Sequence, residues 1–302
     1  MKTRKILLIL LLCIVCIMSV VPFPAGADTG PKPSVRITFR NMSDQLCYGT
    51  LLSKEPSTGP SSVWDGDEEH IYNYGYDIEI WQAFVEYQDT DGFYFLQEVW
   101  QVNETGELAW TYYPPSPFKI LLYYPETGTF VVSGVYERYA FDSYFTVDME
   151  DVQIGSVEQD PVPGNSELLT AQRSYNYGWE LVSLLARIVI TILIELAVAL
   201  LFGFREKKQL LFLAEVNTLT QVLLNVLLNI INYHSGWLLF VMYYILFELI
   251  VFAAEAVLYC LLMNRVSQRK RKPWLYVVYA LVANGVSFGA GLVLAHVIPG
   301  IF

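Results

Sequence analysis

Two kinds of hydrophobic pattern lie end to end along this chain. Between residues 34 and 149 the apolar positions fall in short runs separated by turn residues. Val35, Ile37 and Phe39 alternate with Arg36 and Thr38, the period of two expected of a strand with one buried face. Phe93–Asn103, Phe118–Tyr124, Thr129–Ser133 and Tyr139–Val147 read as further, aromatic-rich strands. Pro125-Glu-Thr-Gly128 is a hairpin signal, and Asp89-Thr-Asp91-Gly92 reads as a second hairpin turn between two aromatic strands. The pattern predicts an all-β, antiparallel sandwich of roughly six to eight strands, in a stretch long enough for one core. After residue 178 the alternation gives way to four apolar runs, at 179–203, 210–232, 237–263 and 274–298. Each exceeds the ~20 residues that cross ~30 Å of hydrocarbon. They predict a four-helix α transmembrane bundle.

The first residues carry a different signal. Lys2, Arg4 and Lys5 precede the apolar run Ile6–Val21 and the small-residue site Ala25-Gly26-Ala27. That is the form of a secretory signal peptide, residues 1–27, cut before Asp28. It makes 28–149 an extracytoplasmic domain, 150–177 a linker marked by Gly155, Pro161, Pro163 and Gly164, and 178–302 the transmembrane domain. Cys13 and Cys16 leave with the signal, and Cys47 and Cys260 lie in different solvents. The exported part thus folds without an internal disulfide, which suits a bacterial surface better than an animal secretory pathway. The sequons at Asn41 and Asn103 are then incidental.

Charge sharpens this division. Hydrophobic residues make up 54% of the chain and charged residues only 16%, with a net charge of −11. A disordered chain, a coiled coil and a nucleic-acid binder are excluded by these values. Residues 28–175 hold 24 acids against 7 bases, whereas 176–302 hold 6 acids against 9 bases. Most bases of the second half sit in two short loops, Arg205 to Lys208 and Arg265 to Lys272. Basic loops stay in the cytoplasm, so the N-terminal domain and the C-terminus at Phe302 are expected outside. Trp179, Trp237 and Trp274, at run ends, are placed as interfacial anchors.

The candidate chemistry lies inside the apolar runs. Arg187 and Glu195 fall in the first, Glu215, Asn217, Gln221, Asn225 and Asn229 in the second, Glu248 and Glu255 in the third, Asn284 and Ser287 in the fourth. A charge at mid-bilayer costs about 2.5–3.5 kcal/mol, so these groups should face the bundle and find partners. At 1.5 Å per residue, Glu195, Asn217, Glu255 and Asn284 fall roughly 10–15 Å from the basic-loop ends, and Arg187, Asn225 and Glu248 roughly 22–24 Å. Arg187 is expected to pair with Glu248. The other layer has two carboxylates and no cation, so it needs a proton or an ion. Interhelical hydrogen bonding is the plain alternative for the amides.

In the exported part, Tyr74 and Tyr76, with Trp110, Tyr112 and Tyr113, form two aromatic loop groups that could stack on a glycan or peptide. Asp65-Gly-Asp67-Glu68-Glu69 lacks the spacing of a calcium loop and reads as a solvated acidic turn. Gly285-Val-Ser287-Phe-Gly289 imitates a nucleophile elbow, but mid-helix it is read as a close-packing Gly-x-x-x-Gly face. No catalytic set, metal site or cofactor motif is expected.

Several segments carry a resemblance: YGTLLSKEPSTGP (48–60), AFVEYQDTDGFYFLQEVWQVNET (83–105), PFKILLYYPETGTFVVS (117–133), YERYAFDSYFTVD (136–148), ARIVITILIELAVALLFGFREKKQL (186–210) and VNTLTQVLLN (216–225). They resemble a group of uncharacterised membrane proteins from gut bacteria of the Clostridia type. The resemblance implies a multi-pass protein of the bacterial cell membrane and carries no activity. Two functional expectations follow. One is an envelope ligand-binding, sensing or partner-scaffolding component, whose outer domain takes a glycan or peptide and whose bundle contacts a second copy or another membrane protein. The alternative is a small oligomeric transporter or channel coupled to protons or cations through the intramembrane glutamates.

Overall fold

A computed structural model describes residues 30–71, 78–150, 152 and 169–297. The expected signal peptide, Tyr74, Tyr76 and most of the expected linker lie outside the described residues. The chain forms two compact units, Pro31–Tyr175 and a helical unit from Asn176 onward.

The first unit is β-rich. Its strands are β1 (Ser34–Arg40), β2 (Tyr48–Ser53), β3 (Ser57–Thr58), β4 (Ser61–Ser62), β5 (Trp100–Gln101), β6 (Glu107–Trp110), β7 (Phe118–Tyr124), β8 (Thr129–Val132), β9 (Asp142–Asp148) and β10 (Ala171–Arg173). One sheet has the order β10-β9-β1-β6 and the other β5-β2-β7-β8, while β3 and β4 form a small hairpin. Val35, Ile37 and Phe39 of the first sheet and Leu51, Ile120 and Leu122 of the second belong to one buried cluster. The period of two in β1 is thus the imprint of that shared core.

Three local expectations need correcting. The first sheet is not wholly antiparallel, because β1 runs parallel to β9, with Ser34 opposite Asp142 and Arg40 opposite Asp148. Parallel pairing requires a long crossover, and all four strands of the second sheet lie within it. Phe93–Asn103 is not one strand: Gln97 has φ +65°, which breaks the extended run and leaves a bridge at Tyr94 and the two-residue β5. The segment before Asp89 is a helix, α1 (Ile78–Glu86). Ile80, Trp81 and Phe84 share one face of it and pack with Leu52 and Leu121 in a second cluster. The second sheet is therefore buried on both sides, which explains the nearly continuous apolar run of β7.

The helical unit consists of α2 (Tyr177–Leu201), α3 (Lys207–Ser235), α4 (Trp237–Val266) and α5 (Pro273–Val297). With 25 to 30 residues each, they are ~38–45 Å long and span a bilayer core. Helix α2 is capped by Asn176, whose side chain accepts from the Trp179 N–H. The short connections bring α2, α3, α4 and α5 alternately up and down, so both basic loops lie at one end.

Candidate functional site

The buried stripe of α3 contains Leu213, Val216, Asn217, Thr220, Gln221, Leu224 and Asn225, at spacings of three and four. Its amides therefore lie on the same face as its apolar core residues. Helix α2 contributes Glu195 and α4 contributes Glu255, both fully buried. Asn284 and Ser287 of α5 are three residues apart, hence one above the other on one face.

These residues converge. Glu255 Oε1 accepts from the Thr220 hydroxyl at 2.6 Å, and its Oε2 accepts from Asn284 Nδ2 at 2.7 Å. Glu195 Oε1 accepts from the Ser287 hydroxyl at 3.2 Å. The Tyr259 hydroxyl donates to Asn217 Oδ1 at 2.5 Å, and the Tyr279 hydroxyl to the Glu195 backbone carbonyl at 3.2 Å. Glu195 and Glu255 thus attach to positions of α5 separated by ~4.5 Å of rise. All four helices supply polar groups to one cluster. Asn217 and Asn284, expected from their depth, are part of it. Thr220, Tyr259 and Tyr279 were not foreseen; the i, i+3 spacing of Asn217 and Thr220 is the signal that could have found Thr220.

Electrostatically the cluster is one-sided. Among the described residues, no cation pairs with either carboxylate. Glu195 Oε2, Asn217 Nδ2 and Asn284 Oδ1 are buried without a hydrogen-bond partner. An unpaired polar atom in a dry interior is costly, so three of them in one cluster, with Asn217 beside Glu195, single it out from the rest of the bundle.

The expected pair of Arg187 with Glu248 is not formed. Arg187 Nη2 donates to Asn229 Oδ1 at 3.0 Å instead. Helix α2 packs beside α3 and α5 and lies across the bundle from α4, so Arg187 meets Asn229 on its neighbour α3. Glu248 is half-buried, with Tyr244 beside it one turn earlier. Gln221 and Asn225 bond to each other, Asn225 Nδ2 donating to Gln221 Oε1 at 3.3 Å. Glu215, expected to face the bundle, is exposed. It lies two turns into α3 and leans toward the basic-loop end. Gly285 and Gly289 also depart from expectation, since a Cβ added at either would meet nothing within 4 Å. They lie roughly opposite the buried Asn284 and Ser287 stripe, and among the described residues they pack on no other helix.

The two ends of the cluster differ. On the basic-loop side, Phe204, Phe212, Tyr259, Tyr276 and Tyr279 are buried together. On the other side the buried Gln221, Asn225 and Arg187 and the half-buried Asn229 form a polar file beside a second apolar cluster that includes Leu228 and Phe247.

In the β-rich unit, the aromatic loop groups do not form the expected surface. Trp110 is core, only 3% exposed, and its indole N–H donates to the Tyr112 carbonyl. The alternating register of β6 turns it inward. Tyr113 is pinned on the β3–β4 hairpin, with its carbonyl accepting from Thr58 and its ring against Gly59. Tyr112 is exposed and meets Tyr113 edge-on. A different concavity, of ≈ 350 Å³, is lined by Trp64, Tyr87, Phe93, Tyr94, Phe95 and the Asp89 turn, among others. Under it, the buried Lys119 ammonium lies 2.9 Å from Asp89 and 2.5 Å from Asp91. Burial alone would lower Lys119, but its bonds to Asp91 and Asp89 outweigh that and raise its pKa; Asp91 is correspondingly lowered. Asp65 and His70 pair at 2.7 Å in the acidic turn. Among the described residues, no three His, Cys, Asp or Glu side chains come together as a metal site.

No family model, curated protein or solved structure matches the chain. The physical class rests on the helices: with four spans of this length and apolarity, the chain is an integral, multi-pass membrane protein.

Proposed function

We propose that the helical unit is a small proton- or cation-coupled transporter or channel of a bacterial envelope, with Glu195 and Glu255 as the groups that take up the proton or ion. The observation that carries this reading is the pair of fully buried carboxylates, held by groups from all four helices, with no cation paired to them among the described residues and with unpartnered polar atoms beside them. Hydrogen-bonding glue between helices needs neither a charge nor an unsatisfied atom, whereas a site that is loaded and unloaded needs both. The oxygen-rich lining of carboxylates, hydroxyls and amides suits a proton or a hard cation. The signal peptide, the sandwich as an exported domain and the basic loops in the cytoplasm complete the proposed topology, with the polar file of α3 leading outward.

Proteoliposomes test it. An imposed pH, sodium or potassium gradient should drive flux above that of empty vesicles. Glu195→Gln combined with Glu255→Gln should return it to background. No flux in the unmodified protein under any of the three gradients would end this reading.

A second reading, an envelope ligand-binding or sensing component, is supported by the aromatic concavity of the β-rich unit. Flat rings around a polar turn suit a sugar or peptide. Screening the full chain against glycans and peptides should find a ligand whose binding is lost in Tyr94→Ala. A screen without hits removes this reading.

A further inference from the structure

The two short loops at the basic end of the helical unit are fastened to each other. Arg271 donates from Nη1 to the Phe202 carbonyl and from Nη2 to the Gly203 carbonyl, both at 2.6 Å, with its guanidinium 4.8 Å from the centre of the Phe204 ring. In the opposite direction, the Glu206 carboxylate accepts the backbone N–H groups of Gln268 at 2.8 Å and Arg269 at 3.1 Å. Asn264 brackets the backbone of Arg271 at both N–H and carbonyl, 3.0 Å each. The Gln268 and Arg269 bonds hold the Glu206 carboxyl below its ordinary value. This is a rigid clasp and not a pair of free tails.

The clasp uses up the available negative charge. Glu206 is the one acid between Phe202 and Lys208 or between Arg265 and Lys272, against eight bases. Its oxygens serve the loop backbone, and Arg271 serves carbonyls. Arg269, Lys270 and Lys272 are left exposed on a fixed frame. They line a concavity of ≈ 500 Å³ with Arg271, Trp274 and Leu275. The lining is two-sided in chemistry: four bases on the loop, then two apolar residues on the first turn of α5, where the helix enters the membrane. Trp274 is 60% exposed, as an interfacial ring is. A soluble anion would use the bases alone. A lipid uses both halves, with its phosphate on the bases and its glycerol and upper acyl chains along Trp274 and Leu275.

We propose that this concavity binds the phosphodiester headgroup of an anionic phospholipid. Basic groups at a membrane surface attract such lipids in proportion to their number. Here the clasp fixes them in advance, so little ordering entropy opposes binding.

The test uses the full chain reconstituted in phosphatidylcholine, with spin-labelled phosphatidylglycerol and phosphatidylcholine as probes. Phosphatidylglycerol should associate preferentially, and the preference should fall about fivefold for each cation removed along the series Lys270→Gln, Lys272→Gln and Arg269→Gln. Arg271 is kept, so the clasp survives. The charge-conserving variant carrying Lys270→Arg and Lys272→Arg should retain the preference. High salt should weaken it in the unmodified chain. Equal association of the two lipids in the unmodified chain overturns the proposal, and this result depends on no variant folding. Displacement by millimolar inorganic phosphate as effective as by phosphatidylglycerol also overturns it, assigning the concavity to a soluble anion.

Discussion

The two units bury charge in opposite ways. In the β-rich unit, Lys119 meets Asp89 and Asp91, so both signs are present, and Asp89 also accepts the backbone N–H groups of Asp91 and Phe93. In the Glu195 and Glu255 cluster of the helical unit, the carboxylates meet hydroxyls and amides, so among the described residues one sign is present there and its balance is left open. The first arrangement is complete in itself and fixes the Asp89–Gly92 turn to β7. The second is complete only with a proton or a cation. Burial alone does not separate the two arrangements; the sign balance of the neighbours does, and on it the proposed role of the glutamates rests.

Substitutions can break that contrast. The largest stability effect is expected for Lys119→Met, which leaves Asp89 buried without its cation and should cost about 3–5 kcal/mol, measured by denaturant unfolding. A loss under about 1 kcal/mol would mean that the turn is solvated and the pair inert. For the helical cluster the expected balance is reversed. Glu195→Gln with Glu255→Gln should change unfolding free energy by less than about 2 kcal/mol while flux vanishes. A large loss of stability with flux intact would make this cluster the structural one. Asn229→Leu, which removes the acceptor of Arg187, should cost ~0.6 kcal/mol and at most ~1.7, because arginine finds other partners near the interface.

The smallest effect is on pH dependence. Lys119 bonding holds Asp91 below its ordinary carboxyl value of 3.8, so its stabilising contribution is complete above that value and is lost as pH falls through the lowered one. Lys119, raised above 10.5, contributes fully below that value and loses its contribution as pH rises through the raised one. The unfolding midpoint of the β-rich unit should therefore be flat near neutrality and fall on the acid side first. In Lys119→Met that acid limb should flatten.

How much of this was legible depended on how local the cause is. Strands β1, β7, β8 and β9 and the four long helices announce themselves because burial of one face, or of a whole span, is written in consecutive residues. Helix α1 is only nine residues long and sits among strands, so its three-residue apolar face carried little weight. The parallel pairing of β1 with β9 joins residues more than a hundred positions apart, and no local pattern encodes it. Within the cluster, helix rise brought Glu195, Asn217, Glu255 and Asn284 to one depth from sequence alone. Depth says nothing of which helices are neighbours, however, and α2 packs beside α3 and not α4, so Arg187 meets Asn229 instead of Glu248. Composition could not tell the inward Trp110 from the outward Tyr112, two residues apart, because strand register decides it.

The position of β1 has a consequence for how the protein is made. This strand lies between β6 and β9, so its two hydrogen-bonding edges close only when Glu107–Trp110 and then Asp142–Asp148 have emerged. During synthesis the nascent segment must wait, extended and apolar, for partners that are translated much later. Any product truncated before Asp142 keeps one edge of that strand bare, ready to recruit a neighbouring chain.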